Sequence, residues 1–325
     1  MPQPNEPVVQ EYFDAQLKQL GAPPIACGVA SEQKGKAIFA VRAIKAGHPI
    51  WSEPPFVAMQ HEDNKDFADC CEHCFVSLIN SKDAWERVEA ANDGANDHKV
   101  TCECGVLYCS DKCRKAAWEQ QHAIMCSRAD DNATPMGQFL NHTLVTNEIF
   151  QLAGKVIARV LLRFVATHDV GHARQPVDMF CKAPWWDVVV SEDDLDEGQT
   201  LESQREVFKE LVGQTLTHFL TGLKDSLERL EKNDELNGLS ADAVLGSCAD
   251  VLTIDFFGRI VGMFEMNNIS LEIDHPFHTL SEALVETVTE GKSEVPPVLV
   301  KVKNALEKYA EKYQHACCGH DHDED

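Results

Sequence analysis

The sequence predicts an α+β protein, in which a small β-rich portion is interrupted by a two-zinc cysteine–histidine module and followed by a mainly helical region. Three observations carry this. Residues 71–126 hold seven cysteines and one histidine at metal-ligand spacings. Residues 37–42 alternate in a period of two, and long stretches after residue 143 repeat their apolar residues every three or four. Four segments follow: 1–65 with the N-terminal strands, 66–130 with the metal module, 131–290 mainly helical, and 291–325 a helix and acidic tail.

In the first segment Ala37, Phe39 and Val41 alternate with Ile38, Ala40 and Arg42, between a glycine approach at Gly35 and the turn Lys45-Ala-Gly47. A second short strand is predicted over 50–53, closed by Pro54-Pro55, because proline cannot donate to a sheet ladder.

The metal module reads Cys71-x-x-Cys74, Cys102-x-Cys104, Cys109-x-x-x-Cys113 and His122-x-x-x-Cys126. Those eight donors suffice for two closed tetrahedral zinc sites, and closed sites leave no coordination position for chemistry, so the zinc is structural. With 111–125 helical, His122 and Cys126 share a face while Cys113 lies about 180° around from His122, so the two serve different ions. Cys109 and Cys113 join one flanking pair and the His122 pair takes the other. The Cys-x-Cys bite is tight, and His98 is the reserve ligand should Cys104 not reach.

Beyond the module, 143–168 reads as an amphipathic helix through Leu144, Ile149, Leu152, Val156, Val160 and Phe164, and 201–236 repeats the pattern from Phe208 to Leu230. His168 and His218 on these stripes receive no ligand role. Residues 169–195 break the helices with Gly171, Pro176 and Pro184, and Trp185-Trp186 reads as a buried anchor. Residues 196–210 read as an acidic exposed loop entering the next helix. The tail, with Cys317, Cys318, His320 and His322, reads as disordered rather than as a built metal site.

Composition bounds the function. A formal charge of −24, from 29 basic and 53 acidic residues, argues against direct DNA binding or adhesion to anionic membranes and suits basic protein segments. A small basic patch at Lys99, Lys112, Arg114 and Lys115 reads as a solvated face. No run of about 20 apolar residues or signal-peptide pattern is read. Thirteen cysteines in such a chain imply a reducing compartment, nucleus or cytoplasm.

Cys71-Glu-His-Cys74, Tyr108-Cys109-Ser-Asp-Lys-Cys113, Trp118, His122 and Cys126 resemble a MYND zinc finger. Lys34 to Gly47, followed by Ile50-Trp-Ser-Glu-Pro-Pro-Phe-Val57, resembles the opening strands of a SET domain. Gly258-Arg-Ile-Val-Gly-Met-Phe-Glu-Met-Asn-Asn268 resembles the stretch leading back into the SET core. Together these are similar to the SET and MYND domain protein-lysine methyltransferases, over about residues 30 to 280.

The resemblance implies S-adenosylmethionine as cofactor, with Lys36 and Asn267 as candidate cofactor-binding residues. Basic protein substrates such as histone tails or ribosomal proteins, which the acidic charge would attract, suit such a family. The second glycine of the family's Gly-x-Gly is Ala37 here. No catalytic residue is assigned, because the family's Asn-His-Ser-Cys segment and late channel tyrosine are not found after Asn267. The chain's Asn141-His142 is followed by Thr143-Leu144 and reads as a helix-entry segment, while Tyr309 and Tyr313 share one helix face. The expected function is therefore a zinc-binding SET and MYND type protein, inactive as written. The alternative is a non-catalytic adaptor that binds proline-containing peptides through the finger.

Overall fold

The computed structural model describes residues 7–31, 34–65, 69–78, 100–129, 133–195 and 198–271. His98, Lys99, the 291–325 segment and the tail cysteines and histidines lie outside the described residues. The architecture is mostly helical, with two small two-stranded sheets among the described residues. Contacts divide it into two compact units, one of Met1–Ala58, Leu152–Thr217 and Glu228–Asn268, the other of Met59–Gln151, His218–Leu227 and Ile269–Asp325.

The first unit opens with a helix that the sequence reading did not anticipate, α1 (Pro7–Gln19), which buries Val9 and ends at Gly21, where φ is +81°. Proline at its first position is pre-set for helix entry and loses no needed donor. Strands β1 (Ile25–Ser31) and β2 (Gly35–Ala40) form an antiparallel hairpin that pairs Ile25 with Ala40 and Gly28 with Ala37, with an irregularity between Val29 and Ser31. The alternating pattern thus forms its strand, yet Val29, Ile38 and Phe39 remain exposed.

The strand expected over 50–53 does not form. Its proline exit bars a ladder, and the carbonyls that follow are held by side chains instead. Lys155 Nζ donates to Ala58 O at 3.1 Å, and Arg159 donates to Phe56 O while lying over the Phe56 ring at 4.5 Å.

These cations come from α5 (Ile149–Thr167), whose buried stripe of Val156, Ile157, Val160, Leu161 and Phe164 centres the first unit's core. The single helix read over 143–168 is two helices. The earlier one, α4 (Pro135–Val145), ends where the Asn147 side chain accepts from Ile149 N–H at 3.0 Å and caps α5. Leu144, read as core, is consequently 52% exposed. Asn141 and His142 lie inside α4 rather than at its entry, where Thr134 caps and Pro135 starts the helix.

The 169–195 stretch is more helical than its prolines suggest. Helix α6 (Val170–Asp178) is capped by Asp169 and carries Pro176. Proline strips the helical partner from the carbonyl four residues back, at His172. Arg163 replaces it, donating to His172 O at 3.1 Å and to Ala173 O at 3.0 Å. Helix α7 (Trp185–Val188) then plants Trp185, 3% exposed, with its indole N–H on Glu265 at 2.9 Å and its ring against Phe208. The tryptophan anchor is therefore one residue, Trp185; Trp186 is half-buried.

The acidic loop is shorter than expected, because a capping box between Thr200 and Ser203 starts α8 (Leu201–Lys232) within it. Helices α9 (Ala241–Ser247) and α10 (Ile254–Asn267) complete the first unit. Around α10, Gly258 faces the Trp186 ring and Gly262 the Ala183 carbonyl at distances a Cβ could not occupy. Among the described residues, no helix is long and apolar enough to cross a membrane.

The second unit holds a four-residue helix α2 (Glu62–Lys65), the short strands β3 (Val100–Thr101) and β4 (Leu107–Tyr108), helix α3 (Asp111–Ala117), α4, and the His218–Leu227 stretch of α8. Phe139 packs edge-to-face on Phe219 at 5.1 Å, and Gly222 lets the Met136 backbone close in. Ser226 donates to Ile124 O at 2.7 Å and Arg128 pairs with Asp225 at 2.8 Å, fixing the end of the metal module on that stretch.

Candidate metal centre

Three pieces of local structure aim the eight donors. Residues 69–78 form a tight knuckle, with Phe75 N–H on Cys71 O, Cys71 N–H on Val76 O, and an isolated bridge between Cys70 and Ser77. A second knuckle follows β3, closed by Cys102 N–H on Val106 O and Gly105 N–H on Cys102 O, with Gly105 at φ +86°. The third piece is helical. Ser110 caps α3 through Cys113 N–H, and the chain then widens into a π-turn at Trp118–His122 with an Ala123 N–H to Trp118 O bond before a last turn at Ala123–Met125. The uniform 100° step used to separate Cys113 from His122 therefore does not hold along the whole segment, although the two do sit in different clusters.

All eight residues come together as two quartets, Cys71, Cys74, Cys109 and Cys113, and Cys102, Cys104, His122 and Cys126. This resolves the pairing left open above: Cys109 and Cys113 join the Cys71 pair. Cys104 reaches its quartet.

Within each quartet the ligand atoms lie within 4.8 Å of one another. The sulfurs of Cys74 and Cys109 are 3.7 Å apart, those of Cys109 and Cys113 3.4 Å, and those of Cys102 and Cys126 3.7 Å. His122 Nε2 is 3.4 Å from the sulfurs of both Cys104 and Cys102. A tetrahedral ion with zinc–sulfur bonds of about 2.3 Å has a sulfur–sulfur edge of about 3.8 Å and a somewhat shorter sulfur–nitrogen edge. Both quartets thus have the size and the donor set that zinc requires.

Main-chain N–H groups tie down the sulfurs: Val76 on Cys74, Cys104 on Cys102, Val106 on Cys104 and Arg128 on Cys126. Phe75 at φ +57° and Arg128 at φ +65° adopt the left-handed conformation at two of these turns, a local strain characteristic of ligand clamps.

The quartets differ in burial and in how they share protons. In the first, Cys74 is exposed and Cys109 and Cys113 are half-exposed. Burial pushes Cys74 up to about 12, whereas the Ser110 hydroxyl lowers Cys109. In the second, His122 and Cys126 are buried. Hydrogen bonding from Cys104, then His122, holds Cys126 down at about 3, and His122 likewise lowers Cys102. Burial alone would lower His122, but the Cys102 and Cys126 sulfurs outweigh it and hold the imidazole at about 9. Cys104 is the raised member, through its bond with Cys126.

Tyr108, directly before Cys109, is fully buried against both quartets, and its hydroxyl has no partner among the described residues. Neither this nor the N–H-to-sulfur bonds was read from the sequence; the Tyr-Cys dipeptide was the available signal.

The two candidate cofactor residues reach one loop of the first unit. Lys36 Nζ donates to Met179 O, 5.6 Å from the Phe13 ring centroid, and burial pushes its amine down. Asn267 Nδ2 donates to Cys181 O at 2.8 Å and to Met263 O at 2.7 Å. A crevice in this unit is lined instead by Arg174, Asp178, Lys182, Asp250, Phe256 and Arg259, whose charges pair with each other in Arg174–Asp178 and Arg174–Asp250.

Comparison with known proteins finds relatives by sequence. Over 232 residues the chain is 26% identical to the histone-lysine N-methyltransferase ATXR2 of Arabidopsis thaliana, which is 66% of this chain and 44% of that protein. Over 122 residues it is 30% identical to the protein-lysine N-trimethyltransferase SMYD5 of Gallus gallus and 31% identical to that of Homo sapiens, in each case 33% of this chain and 29% of the relative. The chain is a relative of the SET and MYND domain protein-lysine methyltransferases. It spans less than half the length of these curated relatives. No family model matches it, and no solved structure does.

Proposed function

We propose that this relative of the lysine methyltransferases is a zinc-stabilised SET and MYND type protein. Its cysteine–histidine module is a MYND-type finger holding two structural zinc ions, and the β1–β2 hairpin corresponds to the opening SET strands. The observation that carries the reading is the interleaving of eight ligands into two quartets with tetrahedral edges. Zinc there supplies folding free energy, about 10 to 16 kcal/mol in small zinc modules, not catalysis.

In the methyltransferase lineage S-adenosylmethionine, when bound, supplies the electrophilic methyl group that a neutral lysine amine accepts. Both amide protons of Asn267 go to the Cys181 and Met263 carbonyls and one of the three Lys36 ammonium donors goes to the Met179 carbonyl, and no catalytic step is assigned to either residue. His142, the histidine of the chain's Asn-His pair, stacks on His218 at 4.7 Å within the second unit. With no Asn-His-Ser-Cys segment or late channel tyrosine read in the sequence, the chain as written is taken to be inactive, and the acidic charge suits a role with basic segments such as histone tails or ribosomal proteins. The same missing motif equally favours a second reading, an adaptor that takes proline-containing peptides on the finger. A reducing compartment, nucleus or cytoplasm, suits either.

Elemental analysis of the purified chain should find two zinc ions, and Cys104→Ser should lose one of them. Fewer than two ions in the unaltered chain, or an ion lost on replacing His98 but not Cys104, counts against the assignment. A labelled-methyl transfer assay on histones should show no turnover. Turnover would refute the inactive reading, whereas zinc-dependent capture of a proline-containing peptide would establish the adaptor.

A further inference from the structure

The register of the β1–β2 hairpin gives it two faces, and both are mostly apolar. On one lie Ile25, Cys27 and Val29 with Lys36, Ile38 and Ala40; there Ile25 is buried and the Lys36 amine donates to Met179 O within the first unit. On the other lie Ala26 and Gly28 with Ala37 and Phe39, none of them polar. The Phe39 ring lies across Gly28, 3.4 Å from where a Cβ would stand, yet Phe39 is 44% exposed, and Val41 just past the strand is 62% exposed.

Exposure continues along the chain: every residue of 38–55 except Ile44 is exposed, Ile50 and Trp51 among them. Residues 33–52 carry four basic side chains, Lys34, Lys36, Arg42 and Lys45, and no acidic one, in a protein whose net charge is −24. Asp14 and Glu53 act on Cys27, which belongs to the first face, so they do not offset this charge on the second. Among the described residues no third strand joins the hairpin, α1 packs against β1, and residues 36–40 make no main-chain hydrogen bond outside the pair.

A two-stranded hairpin is marginal in water, and an open edge beside an apolar face is a template for another strand. A second copy of this hairpin would set like charges against each other, and lipid would leave the open N–H and C=O groups of β2 without partners. An extended acidic segment meets all three features at once: the apolar face, the open edge and the basic flanks.

We propose that the edge of β2 docks an extended acidic segment of a partner protein as a third strand, with its apolar side chains over Ala37 and Phe39 and its carboxylates toward Lys34, Arg42 and Lys45. The site uses no residue of the metal centre, so it stands or falls independently of the zinc reading.

The test uses the full chain and end-capped peptides of about ten residues, enough to run from Lys34 to Arg42 at about 3.3 Å per residue. The probe alternates valine with threonine and carries glutamates at both ends; one control carries lysines there, and another has a central proline. In fluorescence anisotropy the glutamate-ended probe should bind. The lysine-ended control should bind at least about tenfold more weakly, and so should the proline control, which cannot donate to a sheet ladder. Phe39→Thr keeps a strand-forming residue and should weaken binding about tenfold or more. Arg42→Glu combined with Lys45→Glu, both at exposed positions, should reverse the preference between the two end charges.

Equal binding of either control overturns the proposal, as does no binding of the glutamate-ended probe. A dimer in sedimentation that Phe39→Thr disperses also overturns it and gives the face to a second copy. Binding to anionic phospholipid vesicles that Phe39→Thr abolishes overturns it in favour of a membrane surface.

Discussion

At the scale of single residues, glycine and proline are understood through what stands opposite them. A Cβ on Gly262 would lie 2.1 Å from the Ala183 carbonyl oxygen and 3.0 Å from Trp185 N, both backbone atoms that cannot swing away as a side chain can. Gly262→Ala should therefore force α10 away from the 183–185 segment and destabilise the fold by about 1–3 kcal/mol or more, read as a lower denaturant midpoint. An unchanged midpoint would mean that the close approach is not maintained in solution. Pro176 is the converse case. It frees a carbonyl inside α6, and Arg163 satisfies it, so a residue that reads as a helix breaker sits within a helix.

At the scale of elements, the metal module is held at its C-terminal end by hydrogen bonding as well as by packing. The Ser226 hydroxyl, 1% exposed, donates to the Ile124 carbonyl at 2.7 Å, just before Cys126. Ser226→Ala should cost about 1 kcal/mol, and up to about 3 if the carbonyl is left unpaired. An exposed counterpart on the same helix, Thr217→Ala, should be nearly silent, since its hydroxyl bonds the Gly213 carbonyl in reach of water. Equal effects in chemical denaturation would refute the anchoring role. The π-turn at Trp118–His122 belongs to this scale too. It adds a residue between α3 and the His122-x-x-x-Cys126 pair, and no feature of a regular 3.6-residue pattern announces it.

At the scale of the whole molecule, the proposed metal binding is linked to pH. In the metal-free fold His122 is held at about 9 and Cys74 at about 12, so near neutral pH both carry protons that zinc must displace. The sign follows: raising the pH toward 9 removes the competing His122 proton and tightens zinc, and lowering it strengthens the competition. Zinc affinity should fall by about tenfold for each unit that the pH is lowered and each proton displaced, measured by competition with a chromophoric chelator at about pH 8 and about pH 6. Affinity independent of pH across that range would show that the ligands are already deprotonated without metal. His122 taken alone, with a raised value, stabilises the metal-free fold fully below about 6.5, and that contribution is lost as the pH passes through about 9.

Which residues cluster was legible from spacing because a chelate bite is local: Cys71 and Cys74, or His122 and Cys126, are close in space whenever their short segment folds tightly. Helix existence was legible from the apolar stripe around Val156 and Val160, since a 3.6-residue period is also a short-range property. Helix limits were less so, because the Asn147 cap that splits 143–168 was outweighed by that stripe.

What only the tertiary structure decided is which knuckle meets which, the Cys71 pair with Cys109 and Cys113 and the Cys102 pair with His122 and Cys126, together with the loss of the 50–53 strand and the convergence of Lys36 and Asn267 on one loop. Each depends on residues tens of positions apart coming within a few ångströms. Periodicity and spacing record what a segment can do by itself, while pairing between segments is set by burial and by the partners that backbone groups find once the chain has closed on itself.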